Sequence, residues 1–194
     1  MHEILPGIYA WRWPSPRFGY DFNGHWMQGL CIDPVEMDDA TLEELAERGV
    51  YEILITNRNH FRAAERVRQR TSAKIAVHPA DAEFVRSKGV TVEGALADGQ
   101  MVGPLRVIAV PGKSPGEVAF HWPERRVLVV GDACVGTPPG QLALLHAAVI
   151  DDPALLRESL RGLLDVDFDT MLVGDGAAII GGAKERLREL VERA

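Results

Sequence analysis

Five side chains in this sequence have the types and neighbours for ionic or acid–base chemistry. His60 closes the segment Asn57-Arg58-Asn59-His60, directly after an apolar run, and Arg62 stands two residues further on. Lys113 sits inside the turn Val110-Pro-Gly-Lys-Ser-Pro-Gly116, and Asp132 and Asp175 each follow an apolar-Gly pair, Val130-Gly131 and Val173-Gly174. An imidazole titrates near neutrality, so His60 is a candidate general base, with Asp132 the other candidate catalytic group. The two aspartates, at predicted carboxyl ends of strands, read either as a remnant active site or as an ion cluster with Arg62 and Lys113. Asn57 and Asn59 complete that candidate ligand-binding or ion cluster. His60, Asp132 and Asp175 together form a weaker, alternative donor set for one zinc or iron ion. His25, His121 and His146 have no partner at ligand spacing, and His78, before Pro79, reads as a loop or capping residue.

The elements that must position these groups are legible as short apolar runs and capped helices. Gly7–Trp13 and Trp26–Asp33 predict strands joined by a loop containing Pro14, Pro16, Gly19 and Gly24. Asp39 or Thr41 is positioned to cap a helix reaching about Arg48, which Gly49 ends. Tyr51–Thr56 predicts a buried strand, Phe61–Arg70 a helix, Lys74–Val77 a strand and Asp81–Lys88 a helix. The second half opens with three short strands, Leu105–Val110, Glu117–Trp122 and Arg126–Val130. A helix from Pro153 to Leu164, a strand at Met171–Val173 and a helix at Gly182–Glu192 close the chain. Two β-rich halves, each ending in helices, predict an α/β fold: a four-layer αββα sandwich, two mixed sheets packed together with helices outside, forming a single domain over 1–194.

Composition narrows the function classes. The 194 residues are 46% hydrophobic and 25% charged, an ordinary globular balance. A formal net charge of −7 gives no electrostatic support to a nucleic-acid or anionic-membrane partner. No run approaches the ~18 apolar residues of a membrane span, and Met1–Ser15 lacks the unbroken apolar stretch of a signal peptide. Cys31 and Cys134 stand far apart and outside any zinc-knuckle spacing, which predicts buried free thiols and a cytoplasmic setting. Seven aromatics (Tyr9, Trp11, Trp13, Phe18, Tyr20, Phe22, Trp26) crowd the first hairpin. They predict a pocket wall, a homodimer interface or a hairpin folded onto its own core.

Several strand ends together resemble the metallo-β-lactamase superfamily. Cys31-Ile32-Asp33-Pro34 resembles that family's apolar-Ile-Asp-Pro-Gly, and Ile53–Ala64 stands where the family has Leu-Thr-His-x-His-x-Asp-His. Val110–Gly116 resembles Thr-Pro-Gly-His-Thr-Pro-Gly, Val130–Ala133 the apolar-Gly-Asp-x strand end, and Val173–Gly176 the closing Pro-Gly-His-Gly. The resemblance implies two metal ions and hydrolysis. The residues at the implied ligand places are Asn57, Asn59, Phe61, Arg62, Lys113 and Asp175, and only Asp132 is unchanged. Reading His60 as the family's second histidine moves Arg62 and Ala63 into the next two places and still leaves one donor there.

The expectation is therefore a catalytically altered relative without the dinuclear centre and without a cofactor. It would bind a small, anionic ligand or act as a scaffold, with no nucleic-acid or membrane partner. The alternative is a hydrolase of ester, thioester, lactone or phosphoester bonds working without two metals, with His60 or Asp132 as base and Arg62 and Lys113 as electrophilic stabilisers. Lys113 and Arg62 are expected to stand in for the lost ions and pair with Asp132 and Asp175.

Overall fold

A computed structural model describes residues 1–15 and 18–193; the predicted loop position Pro16 lies outside the described residues. The chain forms two compact units, 1–96 and 97–194. The first carries a seven-stranded sheet in strictly sequential order: β1 His2–Leu5, β2 Ile8–Pro14, β3 Asp21–Met27, β4 Leu30–Ile32, β5 Glu52–Ile55, β6 Lys74–Val77 and β7 Gly94–Ala95. Pairing is antiparallel through β4 and parallel from β4 to β7. Tight turns join the first four strands, whereas parallel neighbours need crossovers, and the helices α1 Asp39–Arg48, α2 Ala64–Thr71 and α3 Pro79–Ser87 provide them.

Each helix buries one stripe against the same face of the sheet. Leu42, Leu45, Val67, Ala82 and Val85 cluster with Cys31, Ile53, Ile55, Ile75 and Val77. Asp38, rather than the expected Asp39 or Thr41, caps α1 by accepting the Thr41 N–H at 2.8 Å. His78 caps α3 through Nδ1, which accepts the Ala80 N–H at 3.2 Å.

The first hairpin departs from expectation. The predicted strand Trp26–Asp33 is two strands with a turn at Gln28–Gly29, and β3 begins at Asp21 inside the predicted loop. The reason is long-range: every residue from Asp21 to Met27 pairs with one on β2, from Pro14 back to Ile8. Trp11 lies opposite Gly24, and its indole occupies the space a Cβ would need, 2.4 Å from the ring. Trp11, Phe22 and Trp26 belong to or pack against the helix-covered core, so much of the aromatic cluster is structural.

The second unit carries β8 Met101–Val102, β9 Leu105–Ala109, β10 Val118–Trp122, β11 Val127–Val130 and β12 Thr170–Val173 in the order β12-β11-β10-β9-β8. All pairs are antiparallel except β11 with β12. Helices α4 Pro153–Leu163 and α5 Ala183–Arg193 set Leu156, Leu160, Leu163, Leu187 and Leu190 against Ala119, Leu128, Val130, Met171 and Val173. Asp152 starts α4, accepting the N–H groups of Ala154 and Leu155 at 3.0 Å.

Candidate functional site

In each unit the chemistry-bearing residues gather beyond the carboxyl ends of parallel strands, where open α/β sheets leave backbone and side chains accessible. In the first unit Asp33 follows β4 directly, and Thr56 to His60 follow β5. Asp33 is buried and its backbone is left-handed, with φ of 47°. A non-glycine residue held there costs about 1–3 kcal/mol and needs compensation. Three side-chain hydrogen bonds supply it. Asp33 Oδ1 accepts the Thr56 N–H at 2.8 Å, and Oδ2 accepts the Thr56 hydroxyl at 2.5 Å. His60 Nδ1 lies 2.8 Å from the same Oδ2 and 3.1 Å from Thr56 Oγ1. An ionised carboxylate only accepts, so His60 Nδ1 is the donor.

The segment 57–63 is a turn rather than the first turn of α2, which starts at Ala64 instead of the expected Phe61. Its backbone is pinned from two sides. His60 N–H donates to the Asn57 carbonyl at 3.0 Å and Ala63 N–H to the Pro34 carbonyl at 3.0 Å. Arg58 N–H donates at 2.8 Å to Oδ2 of the buried Asp81 in α3. Asn57 is buried and turns its amide oxygen onto the Asn59 N–H at 2.9 Å, whereas Asn59 is exposed. Arg62 lays its guanidinium over the Phe22 ring, 4.2 Å from the centroid. Phe22 is edge-on to Phe18, which stacks on Tyr20 at 5.7 Å.

His25, on β3 opposite Ile32, is buried with no hydrogen-bond partner at Nδ1 among the described residues. Burial lowers its pKa to about 4, against the opposing pull of the Asp33 charge.

In the second unit Val130 pairs with Val173, so Asp132 and Asp175 occupy equivalent places two residues past the ends of parallel strands. Their nearest carboxylate oxygens lie within 4.8 Å. Lys113 comes from the turn after β9 and places Nζ 2.7 Å from Asp132 Oδ2, with both side chains under one-tenth exposed. The turn is fixed from behind, where Ser159 of α4 donates to the Pro111 carbonyl at 2.7 Å and Asp152 N–H to the Gly112 carbonyl at 2.7 Å. The loops beyond β11 and β12 touch backbone to backbone: Gly136 N–H donates to the Asp175 carbonyl at 2.9 Å, and Ala177 N–H to the Gly136 carbonyl at 2.8 Å. A Cβ on Gly136 would meet Ala177 O at 1.9 Å.

A metallo-β-lactamase superfamily model matches residues 2–194. The chain belongs to this superfamily. Solved relatives share the fold of this superfamily member at low identity. A metallo-β-lactamase from Erythrobacter litoralis, with β-mercaptoethanol in its active site, superposes with a TM-score of 0.79 at 18% identity, covering 100% of this chain and 96% of that one. The family protein TTHA1429 of Thermus thermophilus gives 0.70 at 20% identity over 98% and 80% of the two chains. TTHA1623 in a di-iron-bound form gives 0.70 at 22% identity over 90% and 98%. A hydroxyacylglutathione hydrolase of Cereibacter sphaeroides is 36% identical over 107 residues, 52% of this chain and 41% of the relative. The superfamily member thus matches less than half of that hydrolase's length. No helix among the described residues is long and apolar enough to cross a membrane.

Asn57, Asn59, His60 and Arg62 share one turn in the first unit, and Lys113, Asp132 and Asp175 one cluster in the second. Asp33, Thr56 and Asp81 were not anticipated. Asp33 was visible in the strand-end motif Cys31-Ile32-Asp33-Pro34, but a contact to a histidine 27 residues away has no local signal.

Proposed function

We propose that this superfamily member is a catalytically altered relative that works without a dinuclear metal centre and binds a small anionic ligand. The observation that carries the reading is the buried Lys113–Asp132 ion pair, 2.7 Å long. It gives the one family carboxylate kept at a ligand place a resident cation. A metal ion 4 Å from that ammonium would meet about 4 kcal/mol of repulsion per unit charge at an effective dielectric constant of 20. The remaining places support the same reading. The Asn57 amide oxygen is engaged by a backbone N–H, Phe61 offers no donor atom, and Arg62 is cationic. This donor set does not fit two divalent ions. The Arg62 guanidinium on Phe22, with Phe18 and Tyr20 continuing the ring cluster from Phe22, favours a ligand joining a negative charge to a flat or apolar body.

A thermal-shift screen of small carboxylates and phosphates on the full chain tests the ligand class. Stabilisation by at least one anion, lost in Arg62→Ala, is the expected result; no response to any anion contradicts it.

A second reading, metal-independent hydrolysis, is favoured by the buried Asp33–Thr56–His60 contacts, which hold an imidazole as a base is held. The partial match to a hydroxyacylglutathione hydrolase makes acyl-glutathiones the first substrates to try, followed by lactones and phosphodiesters. Turnover that survives chelator and disappears in His60→Ala supports this reading. Chelator-sensitive turnover, or none, counts against it.

A further inference from the structure

The unanticipated Asp33 has a geometry that assigns it a role, and this inference rests on the second reading above, in which His60 is a proton acceptor. We infer that Asp33 is a positioning residue that fixes the orientation of the His60 ring and keeps its proton on Nδ1.

The assignment follows from the donor and acceptor inventory. Asp33 Oδ1 faces a backbone N–H, which can only donate, and Oδ2 receives the Thr56 hydroxyl. Both contacts favour the ionised carboxylate, which has no proton to offer His60. The 2.8 Å contact from Nδ1 to Oδ2 is then satisfied only by an Nδ1–H donor. Burial makes the assignment hard to escape, because His60 is 0% and Asp33 1% exposed and water cannot replace either partner. Leaving a buried carboxylate without one of its donors costs more than the bond itself is worth.

The two residues are also held in register by the main chain. Asp33 N–H donates to the Leu54 carbonyl at 3.0 Å, tying the end of β4 to β5 just before Thr56. Asp81 holds the other end of the turn through Arg58 N–H. In the second reading a water attacking the scissile bond gives one proton to Nε2 of His60, and the Nδ1–H stays on Asp33. The resulting imidazolium faces an anion already in place, so no group need move to stabilise it.

Nitrogen-15 NMR of the full chain reads the two ring nitrogens of His60 separately. The expected result is an Nδ1 shift in the protonated range. In Asp33→Asn the side-chain amide can donate to the ring, and Nδ1 should move to the unprotonated range. Any metal-independent turnover should fall by on the order of 10²–10⁴-fold, and Asp33→Glu should restore the protonated Nδ1 signal. An unprotonated Nδ1 in the wild type overturns the inference, as does an Asp33→Asn spectrum identical to it. If Asp33→Asn does not fold, the wild-type spectrum still decides. Absence of turnover on every substrate would sink the hydrolytic reading while leaving the nitrogen spectrum to judge Asp33 separately.

Discussion

Replacing Lys113 with methionine keeps most of the apolar stem of the side chain and removes its charge, leaving Asp132 without its ammonium. The size of the effect follows from burial. Removing one partner of a buried ion pair costs about 3–5 kcal/mol, because the other charge stays desolvated. An exposed pair costs under about 1 kcal/mol. With side-chain exposures of 6% and 7%, Lys113 and Asp132 belong to the first class. For a chain of this size each kcal/mol shifts the melting temperature by about 2–4 °C, so the loss should be about 6–20 °C. Urea unfolding followed by circular dichroism gives the free energy directly. The double variant Lys113→Met with Asp132→Leu should recover a large part of the loss, since apolar replacement of both partners is often neutral. A loss below about 1 kcal/mol in the single variant, or strictly additive losses in the double one, would refute the buried-pair reasoning.

Four further outcomes are expected. His25 is neutral when folded, its pKa lowered by burial to about 4 from an ordinary value of 6.5. The unfolded chain therefore binds more protons between these values, and stability should fall by about 3 kcal/mol as pH drops from 6.5 to 4. That slope should vanish in His25→Asn, and an unchanged slope in urea titrations at several pH values would contradict it. Gly136→Ala drives a Cβ into the Ala177 carbonyl and should cost at least about 1–3 kcal/mol; a thermal melt like the wild type's would show that the two loops do not meet this closely. Burial raises the Cys31 thiol pKa and pushes that of Cys134 up to about 12, so neither should react with a thiol reagent at about pH 8 until the protein is unfolded, when both should. Trp13 and Phe18 are 42% and 57% exposed, and if they form an interface light scattering should report a dimer; a monomer would leave them as a solvent-facing hairpin tip.

Much of this architecture was legible because local signals and tertiary outcome agree. The runs Ile53–Ile55, Ile75–Val77 and Val127–Val130 are apolar and short, and each lies in a strand. The helices at Pro153 and Ala183 carry apolar residues at helical spacing, and both occur within a residue or two of the expected bounds. The edge strands β1, β7 and β8 were not legible, since two to four residues carry no alternation and owe their form to a neighbour. The start of β3 is hidden for a related reason. Its first half, Asp21–Gly24, has turn-like composition and becomes a strand through pairing with β2. Within the candidate site, the Lys113–Asp132 pair could be inferred because both residues sit in strand-end motifs whose places are known to converge. The Asp33–His60 contact could not, because it depends on a left-handed aspartate and a turn held by Asp81, and neither feature has a sequence signature.

The central claim is that an ion pair, rather than metal, occupies the heart of the second cluster. Elemental analysis of the full chain, purified without chelator from cells supplied with zinc, iron and manganese, tests it most directly. The account predicts well under one equivalent of any of these metals per chain, and the same low content in Asp132→Asn. Stoichiometric metal in the wild type, lost in Asp132→Asn, would contradict it.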